Sequence, residues 1–114
     1  MYRIKLGRVL FLGEQDGPFE RKLKSSLIED CLSFQPSVSA AYLTRVSYQE
    51  TPGQNVALCL HGGKENAAAI VDCVGAIFRK HFHTTQHLDI LFLSTQQLEE
   101  AAKVAKPFYM LPKP

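Results

Sequence analysis

Residues 55–78 read NVALCLHGGKENAAAIVDCVGAIF, and this stretch decides the fold. Asn55 to His61 is an extended run of β-forming and apolar residues, and Gly62-Gly63 then turn the chain. Beyond the glycines the apolar period lengthens to that of a helix. Ala67, Ile70, Val71, Val74, Ile77, Phe78 and Phe82 share one stripe, and Lys64, Glu65, Asp72, Arg79 and Lys80 supply the wet side. Gly75 inside the stripe lowers helix propensity by about 1 kcal/mol relative to Ala, so it marks either close packing on a neighbour or a tolerated defect.

Upstream, Val38 to Tyr48 is a second run of β-formers, separated from Asn55–His61 by the breaker Thr51-Pro52-Gly53, and the two read as a hairpin. Before it, Phe19, Leu23, Leu27 and Cys31 recur four apart on one helical stripe that opens at Pro18 and closes before Gln35-Pro36. Ile4, Leu6, Leu10 and Leu12 alternate with Lys5, Val9 and Phe11 in a first strand. Downstream, Leu88 to Leu93 is a fourth strand. Ser94 with Gln97 three residues later has the form of a capping box, opening a third helix that Pro107 stops. The apolar Phe108-Tyr109-Met110-Leu111 is expected to dock on the domain rather than trail free.

The order strand, helix, strand, strand, helix, strand predicts one α+β domain over residues 1–114. Its expected form is a ferredoxin-like βαββαβ sandwich: a four-stranded, mainly antiparallel sheet with two helices on one face, plus the short C-terminal helix. At 114 residues, with 46% hydrophobic and 21% charged residues, the chain can bury a real core without disulfides or a structural metal. A formal charge of +2 with dispersed basic residues demands no anionic polymer as partner. No apolar run is long enough to cross a bilayer, and the N-terminal Arg3, Lys5 and Arg8 interrupt any secretory signal. Cys31, Cys59 and Cys73 are odd in number and lack Cys-x-x-Cys spacing, which fits a reducing, cytoplasmic compartment.

One pattern carries a functional edge. The first and fourth strands are apolar on both alternations: Leu10 and Leu12 against Val9 and Phe11, then Leu88, Ile90 and Phe92 against Leu91 and Leu93. A half-solvated sheet alternates apolar with polar, so the second face is expected to be covered by the third helix, the tail, another subunit or another domain.

At Ala41-Tyr42-Leu43, Leu88-Asp89-Ile90 and Lys106-Pro107-Phe108-Tyr109 the chain resembles the C-terminal domain of SseB-type proteins, the enhanced serine sensitivity family. The likeness runs in spacing and pattern from about Leu12 to Tyr109. Proteins of that family look like two-domain cytoplasmic bacterial proteins without established enzymatic activity or agreed catalytic residues. Their N-terminal domain has no counterpart here, so the resemblance implies a standalone version or a piece of a longer protein. The matching positions, Tyr42, Asp89, Pro107, Phe108 and Tyr109, are the candidate interaction residues. Each also has a packing reading: Tyr42 within a strand, Pro107-Phe108-Tyr109 closing the core, and Asp89 accepting local hydrogen bonds, because a carboxylate buried without a partner costs several kcal/mol.

The chemical motifs are incomplete. Gly62-Gly63-Lys64 has the strand–turn–helix geometry that can hold an anion, but Glu65 stands where a phosphate loop needs a hydroxyl, so a plain turn is the competing reading. His81, His83 and His87 are weak metal candidates in a spacing that matches no closed site. Cys59 and His61 share one side of a strand without a visible orienting group. The third strand lacks the stacking aromatics of an RNA-recognition sheet. The expectation is therefore a non-enzymatic domain without cofactor, nucleic acid or membrane, working through a protein partner, a second domain or self-association. An amino-acid-sensing regulatory domain is the alternative. An enzyme with a site near Cys59, His61 and Asp89 comes third.

Overall fold

The protein's structure, a computed structural model, describes residues 9–48, 51–81 and 88–111. Strand β1 (Val9–Glu14) leads through Gly17 into helix α1 (Pro18–Asp30), where Pro18 supplies the fixed dihedral of a first helical turn. A 3-10 turn at Leu32–Phe34 follows, then the long hairpin strands β2 (Val38–Tyr48) and β3 (Thr51–Gly62). Helix α2 (Ala67–His81), strand β4 (Asp89–Phe92), helix α3 (Thr95–Val104) and strand β5 (Tyr109–Met110) complete the chain. Among the described residues no helix is long and apolar enough to cross a membrane.

The sheet runs in the order β1-β2-β3-β4. β1, β2 and β3 are antiparallel neighbours and β4 lies parallel to β3, joined to it over α2. The α+β class, the mostly antiparallel sheet and the pair of helices on one face agree with the sequence reading. The strand order is sequential, whereas a split ferredoxin order would interleave β1 between β3 and β4. Strand lengths explain how a helix can join antiparallel neighbours. β1 pairs only with Thr44–Tyr48, so β2 overhangs it from Val38 by about 20 Å at 3.3 Å per residue. The 13 residues of α1 cover about the same length at 1.5 Å per residue, carrying the chain to the far end of β2 before it turns back. β5 pairs with Ala40 and Ala41 in that overhang, so β1 and β5 share one edge of β2.

Thr51-Pro52-Gly53 does not end the hairpin as the sequence reading expected; it lies inside β3. Val46 pairs with Asn55 but Tyr48 with Thr51, so two extra residues bulge from β3, and Gly53 takes φ +96° there.

Both sheet faces are covered. Leu23 and Leu27 of α1 and Ile70, Val74, Ile77 and Phe78 of α2 pack on Ala41, Leu43, Leu58, Leu60 and Ile90. On the opposite face Leu98, Ala101 and Ala105, from α3 and its C-terminal end, close over Val9, Phe11, Tyr42, Val46, Cys59 and Leu91. The capping box that opens α3 is complete: Gln97 N–H donates to Ser94 Oγ at 3.2 Å and Ser94 N–H to Gln97 Oε1 at 3.0 Å. Val9 and Phe11 of β1 and Leu91 and Leu93 at β4 are thus buried within the chain, with α3 as the cover, whereas Leu10 on the other alternation of β1 stays 62% exposed.

Candidate functional site

Asp89 opens β4 on the face that α3 covers and has no exposed surface. Tyr48 Oη donates to its Oδ2 at 2.6 Å, while Oδ1 has no hydrogen-bond partner among the described residues. Tyr48 lies near the end of β2 and Asp89 on β4, so the bond reaches over the intervening β3. Sealed in this way, the carboxyl group does not meet a molecule from outside and acts as a pin between strands.

Tyr42 is buried in the second core. Phe108 and Tyr109 are half-buried against the first: Phe108 N–H donates to the Ala41 carbonyl at 2.9 Å, and Tyr109 Oη to the Leu32 carbonyl at 3.4 Å. Pro107 enters this strap from α3 and is likewise half-buried. Lys24, nearly buried on α1, fixes the strap from the other side, with Nζ 5.9 Å from the Phe108 ring centre. The same ammonium pairs with Asp16 at 3.1 Å and Glu14 at 3.6 Å. The tail therefore docks as expected, and its aromatics are engaged by the domain itself.

The glycine turn serves packing. A Cβ on Gly62 would strike the Ser37 carbonyl oxygen, and one on Gly63 would lie 2.6 Å from Val38 Cγ2 and 2.9 Å from Ile70 Cδ1. Both glycines also have positive φ, +85° and +83°. They let α2 begin close against the start of β2, and Lys64 is left exposed in a 3-10 turn (Lys64–Asn66). Cys59 and His61 are engaged by different residues of β2. Thr44 Oγ1 lies 3.4 Å from Cys59 Sγ, and Ser39 Oγ lies 2.7 Å from His61 Nδ1. Burial pushes the Cys59 thiol up to about 12, which leaves little thiolate at neutral pH, and the side chain has no exposed surface. His83 and His87 lie outside the described residues, as does the side chain of His81 at the end of α2. Among the described residues no three metal-binding side chains come together.

The sequence reading missed a groove of about 400 Å³ between α2 and β4. Val71, Phe78, Leu88 and Ile90 give it apolar walls, and Gly75 leaves a gap in α2 that widens it. Asp72 and Arg79 set one acidic and one basic side chain on its rim. The unexplained Gly75 was the available signal. Beside the groove, β4 pairs with β3, and among the described residues no strand pairs with its other edge.

No family model, curated protein or solved structure matches the chain.

Proposed function

We propose that the protein is a non-enzymatic contact domain that takes an extended segment of a protein partner along the outer edge of β4, with an apolar side chain of that segment seated in the α2–β4 groove. The observation that carries this reading is the adjacency of an apolar-walled groove and a strand edge that is unpaired among the described residues. Strand addition draws affinity from main-chain hydrogen bonds and specificity from the pocket beside them. Asp72 and Arg79 orient the incoming segment. The resemblance to SseB-type proteins, which look non-enzymatic, points the same way. The second sheet face no longer contributes to the reading, because α3 covers it.

Selection of binders from a library of displayed random peptides tests the proposal. Binders should perturb the amide resonances of Ile90 to Phe92 and lose affinity in Gly75→Leu, which fills the groove. Binders that map elsewhere and tolerate Gly75→Leu would count against it.

One observation favours a second reading in the same groove, that of an amino-acid sensor. An acidic and a basic side chain flank an apolar cavity of small-molecule size, matching the ammonium and carboxylate of a free amino acid. A ligand at a hundred times its dissociation constant adds about 2.7 kcal/mol of stability. A thermal-shift screen of the amino acids in which one raises the melting temperature, and loses that effect in Gly75→Leu, would select this reading over the first.

A further inference from the structure

We propose that Cys31 and Cys73 form a site of reversible oxidation, joined as a disulfide when a peroxide-class oxidant reaches Cys73. The two residues come from separate elements: Cys31 caps the C-terminus of α1, and Cys73 lies mid-way along α2. Cys73 Sγ donates to the Asp30 carbonyl at 3.2 Å, next to Cys31 in the chain, and both cysteines belong to the core between the helices. Both are free thiols in this structure.

Their environments divide the chemistry. Cys73 is partly exposed, whereas Cys31 is 1% exposed. Burial, followed by the hydrogen-bonding influence of the neighbouring Cys73, pushes the Cys31 thiol up to about 12. Buried and with little thiolate at neutral pH, Cys31 is shielded from a dissolved oxidant, and only a sulfenic sulfur held beside it meets it long enough to react. The sulfur of Cys73 attacks a peroxide oxygen, the O–O bond breaks, and sulfenic acid and water form. The Cys31 sulfur then displaces the sulfenic oxygen, which leaves as a second water. One S–S bond forms, both thiols lose their hydrogens, and the peroxide is reduced. A thiol reductant reverses the link. The bond would tie α1 to the middle of α2 and close a loop holding the whole β2–β3 hairpin, removing freedom from the unfolded chain.

Trypsin separates the three cysteines, because cuts after Lys24, Arg45, Lys64 and Arg79 leave Cys31, Cys59 and Cys73 in different peptides. After exposure of the folded chain to hydrogen peroxide, peptide mass mapping should find residues 25–45 linked to residues 65–79, with Cys59 still alkylatable. The melting temperature should rise by several degrees and return with dithiothreitol. In Cys73→Ala, a change at a partly exposed position, Cys31 should stay a thiol under the same treatment. Cys31 remaining a free thiol in the unsubstituted chain, whatever becomes of Cys73, would overturn the proposal, as would a link through Cys59.

Discussion

Tyr48 and Asp89, 41 residues apart in the chain, meet in the second core, where the Tyr48 hydroxyl donates to Asp89 Oδ2 at 2.6 Å. The bond ties β2 to β4 over β3, and it is the hydrogen bond that relieves a carboxyl group whose other oxygen is buried without a partner among the described residues.

Removing the hydroxyl is therefore expected to cost more than an ordinary hydrogen bond. Tyr48→Phe leaves neither carboxyl oxygen with the tyrosine donor and should destabilise the fold by about 2–3 kcal/mol. An amide is less costly to bury than a carboxylate, so adding Asp89→Asn should recover part of that loss. Urea unfolding of the two single variants and the double variant checks this. Additive losses would mean that the pair is not coupled.

Two glycines should respond in opposite ways to alanine. Gly62→Ala places a methyl against the Ser37 carbonyl at φ +85° and is expected to cost about 2 kcal/mol or more. Gly75 has helical backbone, and its added methyl would meet only the mobile end of Arg79 at 3.3 Å, so Gly75→Ala should stabilise by up to about 1 kcal/mol. Thermal or urea unfolding reads both, and equal effects would contradict the contrast.

Asp16 gives the fold a pH dependence on the acid side. The hydrogen bond from Lys24, then that from Arg21, holds its carboxyl below the usual value of 3.8. The folded state thus binds its proton less readily than the unfolded chain. The stabilisation is present in full above the unfolded value and is lost as pH falls through the folded one. Because the site is exposed, solvent screening keeps the effect small. A carboxyl titration by NMR should show the Asp16 midpoint rising in Lys24→Gln. An unchanged midpoint would show that Lys24 does not set it.

What the sequence disclosed was local or periodic. The capping box at Ser94 and Gln97 was visible because its partners lie three residues apart, and the double apolar alternation of β1 and β4 implied that both faces are covered. The strand order was not visible, because a helix can lead to a parallel or an antiparallel neighbour depending on how far β2 overhangs β1. Thr51-Pro52-Gly53 resembled a terminator because a bulge needs the same residues as a turn. The α2–β4 groove and the bond from Cys73 to the Asp30 carbonyl beside Cys31 join segments far apart in the chain, where no short-range spacing reports them. Asp89 was conspicuous as a carboxylate between apolar neighbours, yet its partner Tyr48 could not be read from that segment.

The placement of α3 has a consequence for the order of events at the ribosome. Synthesis delivers β1, β2 and β3 first, and they present a bare apolar surface until Thr95–Val104 has cleared the exit tunnel. β5 adds its two rungs to β2 later still. A nascent chain stalled before Thr95 would hold an incomplete, adhesive sheet, the form in which a chaperone would meet it.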